Sequence, residues 1–175
     1  VKLGIISMDG VLKWLNTEKY EYIVRVDWIE GNRLAVQCEN REQTCLDLLI
    51  FGLNMELQNE LTLETSDYWI NISNSYCYFG EDNMLWTSER DGWRHIYMYD
   101  FNEMEPRQIT QGKWQVDELL SLDKDNDNIV IYIKSKDNKI FQLTYKQCLI
   151  SGLFKNILEC DLTSGRNLEN IIKID

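Results

Sequence analysis

The sequence has one proline, Pro106, and one histidine, His95, in 175 residues. A single histidine cannot complete a Cys₂His₂ zinc site, and a histidine-activated nucleophile would have to be built on His95 alone. The chain has no G-x-S-x-G serine, so the strained turn that presents a hydrolase nucleophile is missing. No C-x-x-C pair occurs. No apolar run approaches the roughly 20 residues of a membrane-spanning helix. The opening Val1-Lys-Leu-Gly-Ile-Ile-Ser7 is too short an apolar run for a secretory leader. It also lacks an initiator methionine, so the chain is expected to be cut from something longer. Cations are few: 18 Lys and Arg against 29 Asp and Glu give a net charge of −11. That balance excludes nucleic acid as a partner, because binding it requires clustered cations to displace counterions. It fits solubility or a mild attraction for basic ligands.

Apolar residues make up 44% of the chain, with six Trp and nine Tyr, enough for one domain with a real core. Five cysteines, at 38, 45, 77, 148 and 160, leave at least one unpaired in a monomer. Cys38 and Cys45 flank a predicted hairpin turn and could face each other across it. The reading taken is buried free thiols.

Three segments look alike. Asn32–Arg41 and Cys45–Phe51 flank a polar turn, as do Asn83–Arg90 and Arg94–Tyr99, and Asn128–Lys136 and Ile140–Tyr145. Each is a β-branched or aromatic run, a turn and another run. Their first residues are 51 (83 − 32) and 45 (128 − 83) positions apart. A period of about 40–50 residues with several short strands per unit is the signature of a propeller blade. Tyr22–Trp28 and Trp114–Leu122 are read as inner strands. Residues 57–64, 105–110 and 156–162 are read as outer strands. Lys146–Leu158 has apolar spacing that fits a short helix, against which Gly152 counts. The expected fold is all-β: antiparallel four-stranded blades, about three of them, in an incomplete β-propeller. The approximate blades are 22–66, 67–113 and 114–165, with 1–21 ending a preceding blade. Three blades do not close a propeller. The chain is therefore an open piece of a larger one, or a sheet stack that pairs with a second copy.

The most distinctive stretch is Trp86–Asp100, continued by Arg107-Gln-Ile-Thr-Gln-Gly-Lys-Trp114. With Asp67-Tyr-Trp-Ile-Asn71, and with Arg25-Val-Asp-Trp28 and Leu34-Ala-Val-Gln37 before it, this sequence resembles the N-terminal propeller of the dipeptidyl peptidase IV family. The resemblance covers residues 20–135 and fades beyond Lys136. It implies an eight-bladed propeller capping a C-terminal α/β-hydrolase domain whose Ser-Asp-His triad releases dipeptides from peptide N-termini. It also implies peptide substrates and a parent that is periplasmic, cell-surface or secreted. The nucleophile elbow is absent here, and so is the Glu-Glu pair that holds the substrate amine. Trp69–Asn74 falls where the family lines part of its pocket, but the family's bulky aromatic and cationic pocket residues are not matched. No catalytic, cofactor or metal residue is therefore assigned, and no cofactor is expected. The remaining alternative is a non-enzymatic interaction module for protein or carbohydrate. An open propeller exposes blade edges, so self-association is expected.

The residues that invite a chemical role are read structurally. His95 sits at a turn-to-strand junction and needs only a hydrogen bond there. Glu89, Arg90, Asp91 and Arg94 are expected to pair around the turn, with Gly92 at positive φ. Asp123–Asn128 mimics a calcium loop but lacks its glycine and closing glutamate, and is read as a hairpin. Trp14, Trp28, Trp69, Trp86, Trp93 and Trp114 are read as packing between blades rather than as a sugar-binding groove.

Overall fold

A computed structural model of the chain describes residues 1–103, 105–125 and 128–144. The helix expected over 146–158, the strand over 156–162, Cys148 and Cys160 lie outside these residues. Every sheet is antiparallel where its pairing is resolved. Among the described residues the only helical element is one 3-10 turn, Glu30–Asn32. The chain divides into two compact units. One holds Val1–Ile72, Tyr78–Asn83 and residues 101–103. The other holds Ser73–Cys77, Met84–Asp100 and the described residues from 105 onward.

The chain opens with a two-stranded hairpin, β1 (Gly4–Ile6) and β2 (Leu12–Trp14). A four-stranded meander follows: β3 (Tyr22–Ile29), β4 (Arg33–Glu39), β5 (Cys45–Phe51) and β6 (Leu57–Thr65), in that order. The β3–β4 turn places Gly31 at φ 75° and Asn32 at φ 54°, a conformation these two residue types tolerate best. Asn40 closes the β4–β5 hairpin. Its Oδ1 accepts from the Thr44 and Cys45 amides at 2.9 and 3.0 Å. β4 and β5 are buried on both faces from the second residue of each strand onward. Their sequences, Leu-Ala-Val-Gln-Cys-Glu and Leu-Asp-Leu-Leu-Ile-Phe, are accordingly near-continuous apolar runs rather than alternating ones. One face packs Leu34, Val36, Leu49 and Phe51 against Leu15 and Tyr20, with Leu3 and Ile5 beside them.

The second sheet has the order β10–β9–β8–β7, from β7 (Tyr76–Phe79), β8 (Asn83–Ser88), β9 (His95–Asp100) and β10 (Arg107–Gln108). Met84, Leu85, Trp86, Ile96 and Ile109 are fully buried in it. The third sheet joins β11 (Val116–Asp125), β12 (Asn128–Ser135) and β13 (Ile140–Thr144). The observed fold is therefore all-β and antiparallel, as the repeat pattern predicts, and two of the sheets among the described residues are four-stranded. Two details differ. The expected outer strand 105–110 pairs only over Arg107–Gln108, against Met98 and Tyr97. β7 was not anticipated, because Asn71, Ser73, Asn74 and Ser75 give its approach the composition of a loop.

Candidate functional site

The β8–β9 hairpin carries the charged residues of the most distinctive stretch. Gly92 sits at φ 90°, and its amide donates to the Glu89 carbonyl at 2.9 Å, which tightens the turn. Glu89 Oε1 accepts from Arg94 Nε and Nη2 at 3.1 and 3.0 Å. Asp91 Oδ1 accepts the Trp93 amide at 3.2 Å, and Oδ2 accepts from Gln108 Nε2 at 2.6 Å. Arg90 donates to Ser88 Oγ and Tyr99 OH at 2.9 and 2.8 Å and lies 4.4 Å from the Tyr97 ring centroid. Each of the four charges thus has a named partner within the hairpin or its neighbouring strand. Exposed pairs of this kind contribute under about 1 kcal/mol each and fix geometry more than stability.

His95 is fully buried. Its Nε2 lies 3.0 Å from the Gly112 carbonyl, which can only accept, so Nε2 carries the proton. Its Nδ1 lies 3.0 Å from Thr110 Oγ1, and that hydroxyl also accepts the Ile96 amide at 3.0 Å. The Thr110 proton therefore points to Nδ1. The chain of bonds runs one way, from Ile96 N–H through Thr110 and His95 to Gly112. Trp114 closes over the imidazole edge-on at 5.2 Å. Both ring nitrogens are engaged by the protein's own groups.

The acidic stretch from Asp123 ends β11, where Asp123, Lys124 and Asp125 pair in register with Val130, Ile129 and Asn128. Among the described residues, no three of His, Cys, Asp and Glu come together as a metal site. The tryptophans divide. Trp86 is buried and Trp114 is half-buried, but Trp14, Trp28, Trp69 and Trp93 are exposed. Cys38, Cys45 and Cys77 are free thiols. Cys38 pairs in register with Asp47, while Cys45 faces Asn40, so the two thiols are not cross-strand partners. Burial, reinforced by Asp47, pushes the Cys38 thiol up to about 12. Such a thiol stays protonated and is no nucleophile at neutral pH.

A second polar cluster was not legible in the sequence. Asp47, on β5, is buried and accepts Tyr20 OH at 2.6 Å, Thr62 Oγ1 at 2.8 Å and Cys45 Sγ at 3.4 Å. Glu60 Oε1 takes Lys19 Nζ at 2.5 Å and Tyr20 OH at 3.1 Å. Burial and then Asp47 raise the Tyr20 phenol, and the Glu60 hydrogen bond raises Lys19. This cluster fastens the connector before β3 onto β5 and β6. It holds phenol, thiols and amine in protonated, unreactive forms.

Glu39 stands apart. It is 3% exposed, its Oε1 has no partner, and burial raises its carboxyl above the usual range. A carboxyl raised by folding stabilises the protein most at low pH and loses that contribution as pH climbs through the carboxylate range. Glu39→Gln is therefore expected to be more stable than the parent at neutral pH, with the two proteins converging in acid. Urea midpoints at neutral and acidic pH check this, and an equal gap at both would refute it.

The Trp69–Asn74 stretch leaves β6 as a surface connection, with Tyr68 and Trp69 exposed and the Ile70 amide tied to the Gln43 carbonyl at 2.9 Å. Among the described residues no helix is long and apolar enough to cross a membrane.

Comparison with known proteins bears on this geometry. The family model for the dipeptidyl peptidase IV (DPP IV) N-terminal region matches residues 1–165. The probable dipeptidyl peptidase 4 of Neosartorya fischeri is 25% identical across 82% of this chain and 19% of its own length. That of Emericella nidulans is 25% identical across 91% of this chain and 23% of its own. The chain thus spans about a fifth of the length of these curated relatives. Among solved structures, Porphyromonas gingivalis dipeptidyl peptidase 4 superposes with a TM-score of 0.68 at 19% identity, over 83% of this chain and 22% of that one. A putative dipeptidyl aminopeptidase IV from Bacteroides ovatus gives 0.64 at 19% identity, over 87% and 25%. At that identity the structures speak for the fold, and the family match speaks for descent: this chain belongs to the dipeptidyl peptidase IV N-terminal region family.

Proposed function

We propose that this chain is part of the substrate-gating propeller of a longer serine peptidase that releases dipeptides from peptide N-termini. Its blades are 22–66, 67–113 and 114–165, and 1–21 completes a preceding blade. The chain itself supplies no catalytic, cofactor-binding or metal-binding residue. Its partners are the C-terminal α/β-hydrolase domain of the parent and the peptides admitted to it, and the parent acts outside the cytosol. The observation that carries this reading is the family match over residues 1–165 in a chain a fifth the length of its relatives. Support also comes from His95, whose two ring nitrogens are both held by the protein, and from the missing nucleophile elbow.

One preparation tests the proposal. The isolated chain, incubated with a dipeptidyl-proline chromogen and a fluorophosphonate label, is expected to give neither turnover nor labelling. The full-length parent gives both. Labelling of the isolated chain would refute the proposal. In the same sample, open blade edges should drive association, so light scattering should return a mass above the 20.8 kDa monomer.

A further inference from the structure

One N-x-S/T triplet occurs in the sequence, Asn71-Ile72-Ser73. It lies in the connection between β6 and β7, where residues 69–75 form no helix, strand or turn. Asn71 is exposed, and its side chain bonds to no other described residue. Two positions earlier Trp69 is 64% exposed, and Tyr68 beside it is 89% exposed. Trp69 and Asn71 thus lie two residues apart on one exposed connection. An uncovered indole at that position offers a flat apolar face, to which the C–H face of a pyranose is complementary.

We propose that Asn71 is an N-glycan acceptor and that Trp69 stacks on the first sugar of the glycan. The donor class is a lipid-linked oligosaccharyl pyrophosphate. The C1–O bond of the donor breaks and a C1–N bond to Asn71 Nδ2 forms. The amide gives up one proton, and the lipid pyrophosphate leaves with the bonding pair. In the folded chain the Ser73 hydroxyl is already engaged, 2.5 Å from Thr87 Oγ1 and accepting the Ser75 amide at 3.1 Å. The hydroxyl that an acceptor triplet must offer is free only before the second sheet forms, so transfer precedes folding of that sheet. The proposal rests on the reading that the parent acts outside the cytosol.

The test expresses the full-length parent in yeast or animal cells, once with its own leader and once with an appended secretion leader. Peptide-N-glycosidase treatment is expected to convert Asn71 to Asp in both. Asn71→Gln removes one glycan's worth of gel shift, and Ser73→Thr keeps it. Enzymatic removal of the glycan is expected to lower Tm, and Trp69→Ala should abolish that difference. Modification only with the appended leader upholds the acceptor and overturns the secretory reading. An unmodified Asn71 under the appended leader overturns the acceptor. A Tm difference that survives Trp69→Ala overturns the stacking.

Discussion

Trp86→Ala is expected to cost about 3–5 kcal/mol, the range for deleting a fully buried aromatic ring. Against a total stability of roughly 5–15 kcal/mol for a domain, such a loss unfolds a large share of the population. Trp86 has no exposed surface, sits on β8 inside the second sheet and lies with its ring centroid 6.0 Å from that of Tyr76. No smaller side chain can fill that volume without moving a strand. Trp86→Phe should lose less, and Trp14→Ala should lose little because Trp14 is 61% exposed. Urea midpoints of the three variants check the order. A Trp86→Ala loss under about 1 kcal/mol would show that the site collapses freely and that the close packing described here is wrong.

Asp47→Ala should cost about 1–3 kcal/mol for a different reason: it takes the short-range acceptor from a buried phenol rather than opening space. Tyr20 OH and Thr62 Oγ1 both donate to this carboxylate, at 2.6 and 2.8 Å. Lys19 adds little, since its side chain is 65% exposed and its ammonium is 3.6 Å away. Glu60 partly rescues Tyr20 at 3.1 Å. Tyr20→Phe on top of Asp47→Ala should therefore cost much less than the sum of the two changes. Strict additivity in thermal unfolding would mean that the two groups do not share a bond.

The hairpins were legible because β-branched and aromatic runs flank short polar turns in the three larger sheets. Gly92 was legible because a tight charged turn needs one residue at positive φ. The structural role of His95 could be read from its place beside that turn, but its partners Thr110 and Gly112, 15 and 17 residues away, could not. Asp47 was invisible for the same reason. In Cys-Leu-Asp-Leu-Leu it reads as a stray polar residue, and the groups that explain it lie 27 and 15 positions off in sequence. Composition gave the number of tryptophan rings but not which of them are exposed.

The near-continuous apolar runs of β4 and β5 have a consequence for how these strands find each other. Where a strand alternates, a one-residue slip turns its apolar side chains out to water and is rejected. Leu34 to Glu39 and Leu46 to Phe51 are buried on both faces, so hydrophobicity alone scores a slipped alignment almost as well as the native one. What distinguishes the two is a handful of internal polar groups. Gln37 reaches Arg25 at 3.2 Å and Tyr78 at 3.4 Å, and Asp47 reaches Tyr20 and Thr62. A slip carries Asp47 to the opposite face, away from the Tyr20 and Thr62 hydroxyls that donate to it. The greasy strands supply adhesion, and two polar side chains supply the address.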